Sequence, residues 1–225
     1  MSTARRDLAR YDARQLKTRD ARAIAGVDEV GRGSLAGPVV AAAVILPAGA
    51  RLPGVDDSKQ LTAAQRAIQA LAVRAVAVAI GISFVGPRTI DAINIRSASL
   101  LAMRRAVERS RVRFRRAGGA GAEEHRGALL ILVDGLDVIP GLDLRQQPVV
   151  GGDGESLAIA AASIIAKTVR DGFMVRLAAE WPAYGFERHK GYGTEEHLAA
   201  LELHGPCSWH RFSYAPVAQI GLFPG

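Results

Sequence analysis

The chain has 225 residues, enough for one sizeable core with a small appendage. Its 49% hydrophobic content excludes a disordered chain, and its single cysteine, Cys207, excludes an intramolecular disulfide and a cysteine metal cluster. Lys and Arg outnumber Asp and Glu by 29 to 22, a net charge of +7, which favours a polyanionic partner without identifying one.

The first 22 residues, "MSTARRDLARYDARQLKTRDAR", hold no apolar run and so no secretory signal, and Asp7, Asp12 and Asp20 speak against a transit peptide. Residues 7–21 read as a short, polar, helical lead-in. "AIAGVDEV" (23–30) and "GPVVAAAVIL" (37–46) read as strands around a Gly-rich turn. A loop with Pro47 and Pro53 follows. Thr62 then caps a helix to about residue 73, and "AVAVAIGISFV" (75–85) reads as a third strand, giving an antiparallel meander.

Residues 89–110 have helical spacing with Arg104, Arg105 and Arg109 outside, and 117–128 read as a loop. "LLILV" (129–133) is apolar throughout, as in a central strand covered on both faces. Residues 156–181 form a long helix, apolar on most sides in its first half. The order is α/β, with a mixed sheet and helices on both faces. From Pro182 the chain turns Gly-, His- and aromatic-rich, and Thr194 caps a helix that Gly205-Pro206 stops. The division expected is a catalytic domain over 1–181 and a small helical, substrate-binding appendage over 182–225. No apolar run is long enough to span a bilayer, since Arg74 interrupts "LAVRAVAVAIGISFV". The expectation is a cytoplasmic protein with no membrane contact.

Four acids stand out by position. Asp28 and Glu29 end the first strand, Asp134 follows "LLILV", and Asp171 lies on the long apolar helix. A carboxylate among such neighbours is costly unless paired or bound to metal. Hard oxygen donors suit Mg²⁺ or Mn²⁺, and two such ions about 4 Å apart can clamp a phosphodiester. Each acid also has a plain reading. Asp134-Gly135 alone makes a turn, Asp171 stands four residues after Lys167 as in an ordinary helix-face pair, and strand alternation points Asp28 and Glu29 to opposite faces.

Six blocks occur in order: "GVDEVGRGSLAGPVVAAAV" (26–44), "DDSKQLT" (56–62), "IDAINIRSASLLAM" (90–103), "LVDG" (132–135), "GDGESLAIAAASIIAKTVRD" (152–171) and "HKGYGTEEHLAAL" (189–201). Together they closely resemble the type 2 ribonuclease H family, bacterial ribonuclease HII. The resemblance implies a ribonuclease H-like mixed five-stranded sheet flanked by helices. It implies cleavage of RNA in RNA–DNA hybrids and incision 5′ of single ribonucleotides in duplex DNA, with Mg²⁺ or Mn²⁺, leaving 5′-phosphate and 3′-hydroxyl ends. The family's four metal-binding catalytic acids fall on Asp28, Glu29, Asp134 and Asp171. Its Gly-Arg-Gly motif falls on Gly31, Arg32 and Gly33, where glycines admit a sugar-phosphate closely and Arg forks onto phosphate. The tyrosine that stacks on the deoxyribose after the ribonucleotide falls on Tyr192; without the family it reads as a packed residue in a Gly turn. Glu155 departs from the pattern, standing where the family often has a lysine, which puts one backbone contact in doubt. The family default is a monomer.

The Arg-rich stretch "RSRVRFRR" (109–116) reads first as a solvated helix end and second as a duplex contact. The terminal "APVAQIGLFPG" is apolar enough to bind a partner such as a sliding clamp, but a frayed end with a few packed side chains is the preferred reading. Two rival classes are a non-catalytic nucleic-acid-binding module with structural acids, and another nuclease of the same fold. A ribonuclease HIII-like relative fits less well, because only about 20 residues precede the first strand and that family usually has a further N-terminal domain.

Overall fold

A computed structural model describes residues 7–55, 61–117 and 129–221. Its centre is a mixed five-stranded sheet in the order β3-β2-β1-β4-β5. The strands are β1 (Ala23–Val30), β2 (Val39–Leu46), β3 (Ala79–Val85), β4 (Leu129–Asp134) and β5 (Arg145–Val149). β1, β2 and β3 form the antiparallel meander, while β4 runs parallel to β1 and β5 parallel to β4. The described helices are α1 (Leu8–Thr18), α2 (Ala63–Val76), α3 (Pro87–Ile93), α4 (Ile95–Arg116), α5 (Leu157–Glu180), α6 (Phe186–His189), α7 (Glu195–His204) and α8 (Ala215–Gly221).

Strand alternation sorts the core into two layers. On one face Ile24, Ala42 and Val44 pack with Ile159, Ile164 and Ile165 of α5. On the other, Ala25, Val27, Ala43 and Ile45 pack with Ala102, Met103 and Val107 of α4. Every residue of β2 is buried, as a strand covered on both faces requires. Gly26 sets the depth of α5: a Cβ there would stand 2.0 Å from the Ala158 carbonyl carbon, so the helix backbone lies directly on β1. A third cluster joins Leu35, Ala36, Met174 and Leu177 to Tyr184, Phe186, Leu201, Cys207 and Val217, seating residues 184–217 against the C-terminal half of α5.

Several boundaries differ from the sequence reading. α2 keeps its capping box, with the Thr62 hydroxyl and the Gln65 side chain each accepting from the other's backbone N–H, but runs on to Val76. β3 therefore begins at Ala79; alternating Ala and Val cannot distinguish a helix end from a strand start. Residues 89–110 belong to two helices, broken at Asn94, whose φ of 65° turns the chain while its side chain caps α4 by accepting from Ser97 N at 3.0 Å. β5 arises from "RQQPV", too polar to read as a strand, and lies at the sheet edge, where its Pro is tolerated. Most of the 117–128 loop and of the "DDSKQLT" block lies outside the described residues. Among the described residues, no helix is long and apolar enough to cross a membrane.

Candidate active site

Parallel β1 and β4 end side by side, and their last residues bring three acids together. Val27 pairs with Val133, so Asp28 and Asp134 are the next residues on neighbouring strands. Asp28 is buried on the α5 side, where Ser163 hydrogen-bonds its carboxylate, and it accepts from Glu29 N at 2.7 Å. Burial, and then the charges of Glu29 and Asp134, push the Asp28 carboxyl well above the usual carboxylate range. Burial also raises Glu29; Arg32 opposes the shift and Asp134 adds to it. Asp134 is fixed by Gly152, whose N–H donates to Oδ1 at 2.7 Å.

Alternation does not keep Glu29 out of this site. It lines a cleft of about 250 Å³ with Val30, Arg66, Asp153, Ser163, Ile164 and Lys167. Asp171 stands two turns beyond Ser163 on α5, with Lys167 between them, and its carboxylate already has two cations. Lys167 Nζ donates to Oδ1 at 2.8 Å, and Arg66 Nη1 lies 3.5 Å from Oδ2. The Lys167 pair is the helix-face pair that the spacing allows. The structure thus gathers Asp28, Glu29 and Asp134 and holds Asp171 through cations that border the same cleft. Among the described residues, no three His, Cys, Asp or Glu side chains converge as ligands of one ion in this arrangement. The donor set nevertheless fits a hard divalent ion: Asp28 and Glu29, pushed up first by burial and then by neighbouring acids, are oxygen donors whose crowded charge such an ion would relieve.

The Gly31–Gly33 turn follows at once. Gly31 has φ +92°, and a Cβ there would fall 2.1 Å from Arg170 Nε, whereas a Cβ on Gly33 would meet nothing within 4 Å. Arg32 is half exposed and pairs with Glu29 at 3.1 Å. The turn and the segment that follows it are held from inside by two fully buried arginines. Arg211 donates to the carbonyls of Gly31 (2.7 Å), Arg32 (2.8 Å) and Gly37 (2.9 and 3.0 Å). Arg170 donates to those of Pro38 (3.0 Å), Ala36 (3.2 Å) and Lys190 (3.0 Å). Tyr214 OH adds a bond to Arg32 O at 2.6 Å. Tyr192 forms a bridge with Ser34, and its ring lies near Arg170 Cζ (5.5 Å) and Lys167 Nζ (5.8 Å). Turn, tyrosine and acids therefore form one continuous surface along α5.

Sequence reasoning passed over Arg66, Asp153, Ser163, Arg170 and Arg211, and took Lys167 only as a helix-face partner of Asp171. Ser163, Lys167 and Asp171, at i, i+4 and i+8, make a polar stripe that begins in the apolar first half of the helix, and that was a usable signal. Nothing in the local pattern marks Arg211 as buried.

The order of these elements along the chain is that of a known family. Residues 25–217 match the profile of the family described as Ribonuclease HII. The chain belongs to the ribonuclease HII family. The Xanthobacter autotrophicus ribonuclease HII is 51% identical over 204 residues, covering 89% of this chain and 75% of that one. Of solved structures, an Archaeoglobus fulgidus ribonuclease HII in complex with PCNA gives a TM-score of 0.62 at 26% identity, over 88% of this chain and 96% of that one. Bst ribonuclease HIII in complex with Mn²⁺ gives 0.65 at 19%, over 93% and 71%, a likeness of fold. Membership makes this protein a type 2 ribonuclease H, a metal-dependent hydrolase acting as an endoribonuclease on RNA–DNA hybrids.

Proposed function

We propose that this ribonuclease HII also incises duplex DNA 5′ of single embedded ribonucleotides, using Asp28, Glu29, Asp134 and Asp171 to hold two Mg²⁺ or Mn²⁺ ions. The observation behind the metal assignment is the meeting of Asp28, Glu29 and Asp134 at the adjacent ends of β1 and β4, where burial first and neighbouring acids second push the Asp28 and Glu29 carboxyls up. Divalent ions held there would lower the pKa of water and stabilise charge on the departing oxygen. Hydrolysis adds water across the phosphorus–O3′ bond, so the products carry 5′-phosphate and 3′-hydroxyl ends.

The remaining residues bind and orient. Gly33, with open space above it, lets a ribose approach the backbone, where main-chain groups can read the 2′-OH. Arg32, half exposed beside Glu29, is placed to fork onto a phosphate next to the acids. Tyr192 supplies a ring for the neighbouring deoxyribose, and residues 182–225 act as the substrate-binding appendage. Asp171, held by Lys167 and Arg66, would join the residues that hold the metal by releasing one of them, and the freed cation would face the substrate's phosphates.

The proposal extends to a cytoplasmic monomer. The A. fulgidus relative solved with PCNA makes a sliding clamp the partner to test at the C-terminal end, whose last four residues lie outside the described residues.

The test is a DNA duplex with one ribonucleotide, incubated with and without Mg²⁺ or Mn²⁺, and the cut mapped. Metal-dependent incision on the 5′ side of the ribonucleotide is expected. Binding without incision would favour a non-catalytic module, and cutting confined to long hybrids would remove junction recognition from the reading.

A further inference from the structure

Behind Tyr192 lie three buried histidines that the chemistry above does not use: His189, His197 and His210. Their hydrogen bonds leave one choice for every ring proton. Cys207 N donates to His210 Nδ1 at 2.9 Å, so that nitrogen is an acceptor and a neutral ring carries its proton on Nε2. His197 Nδ1 lies 2.9 Å from the Tyr192 carbonyl, which can only accept, so Nδ1 carries the proton. The two remaining nitrogens, His210 Nε2 with its proton and His197 Nε2 without, meet at 3.1 Å. Gly191 N donates to His189 Nδ1 at 3.1 Å, and Nε2 then donates to Tyr184 O at 2.7 Å. His189 stacks on His197 with ring centroids 4.4 Å apart, and Phe186 meets both rings edge-on. All six ring nitrogens have partners, with all three rings neutral.

The network ends on the segment that presents Tyr192. Tyr192 N donates to His189 O at 3.0 Å, and its carbonyl receives His197. Gly191 O accepts from Leu35 N at 2.8 Å, tying the segment to the substrate turn. The other end runs through His210 to Arg211, which holds Gly31 and Arg32.

We propose that His189, His197 and His210 form a neutral, tautomer-locked hydrogen-bond relay that acts as a positioning device, registering the Tyr192 segment against the Gly31–Gly33 turn. The proposal rests on the reading of Tyr192 as a substrate contact. His197 is the pivotal positioning residue, because its two nitrogens serve different ends. An Asn side-chain amide reproduces a donor at Nδ1, and a Gln amide reproduces a group at Nε2. His197→Asn therefore keeps the bond to Tyr192 and loses His210, while His197→Gln does the reverse.

Nitrogen-15 NMR of the unmodified enzyme at pH 7 reads the relay without depending on any variant folding. His197 should carry its proton on Nδ1, and His189 and His210 theirs on Nε2; any other tautomer, or a charged ring, overturns the relay. On the single-ribonucleotide duplex, His197→Gln should lower kcat/KM by about tenfold or more and His197→Asn by less than about threefold, at similar melting temperatures. Equal losses beside an impaired Tyr192→Ala enzyme overturn the positioning role. Undiminished junction cleavage by Tyr192→Ala overturns the Tyr192 reading itself, and the positioning role with it.

Discussion

Asp28 shows the conflict between stability and chemistry in one side chain. Its folded-state pKa is raised by burial and by two like charges, so at neutral pH the folded state carries a cost that the unfolded chain does not. That cost falls as pH drops through the raised pKa, and a cation bound there as proposed would relieve it at neutral pH. Asp28→Asn should therefore abolish cleavage and yet, in chelator, stabilise the fold by about 1 kcal/mol or more, roughly 2–4 °C in Tm. Calorimetry of both proteins in EDTA checks this, and a Tm lowered by the substitution would contradict it. The two turn glycines divide the same way. Gly31→Ala must strain a positive φ and displace Arg170, so it should lower Tm by several degrees. Gly33→Ala should leave Tm within about 1 °C, because open space faces it, and lose activity on ribonucleotide substrates. Melting curves beside cleavage rates separate these two effects.

At the scale of elements, β1 and β4 place the acids, and α5 supplies the wall that faces them. Much of this was legible: a continuous apolar run followed by Asp marks a strand whose end holds a buried charge, and the extents of β1 and of the Thr194-capped helix follow from patterning and caps. The edge strand β5 and the arginine clamps were not, because each depends on contacts far away in sequence, and the local break at Asn94 is hidden inside one continuous helical periodicity. Arg211 reaches a turn about 180 residues earlier, and no local periodicity encodes that. The packed C-terminal segment also has a pH signature. Burial holds His197 and His210 down at about 4, below the unfolded value of about 6.5. Their contribution to stability is thus present above about pH 6.5 and lost as pH falls towards 4. Each group adds a slope of up to about 1.4 kcal/mol per pH unit near pH 5. The wild type should lose stability on acidification more steeply than His197→Gln by about that slope, as denaturant titrations at pH 5 and 6 would show. Parallel curves would mean that His197 is protonated in the folded state.

The whole molecule is a metal-dependent nuclease with net charge +7 and an arginine-rich end to α4, where Arg109 and Arg113 also bond the carbonyls of Ile82 and Ile80 on β3. If phosphate neutralisation supplies much of the affinity, binding of an RNA–DNA hybrid should weaken by about tenfold or more between 50 and 200 mM salt. A flat salt response in fluorescence anisotropy would assign affinity to the acid cleft and Tyr192 instead. Above these effects stands the proposal that Asp171 of α5 joins the carboxylates of β1 and β4 on divalent ions only when metal and substrate arrive, giving up a cation to do so. Anomalous scattering from a crystal of the Asp134→Asn enzyme would read a weakened site, so the direct measurement uses the unmodified enzyme with Mn²⁺ and an uncleavable hybrid. Manganese peaks bounded by Asp28, Glu29 and Asp134, with Asp171 turned to them and parted from Lys167 or Arg66, are the predicted result. Manganese bound elsewhere, or Asp171 still held by both cations beside an occupied site, would contradict it.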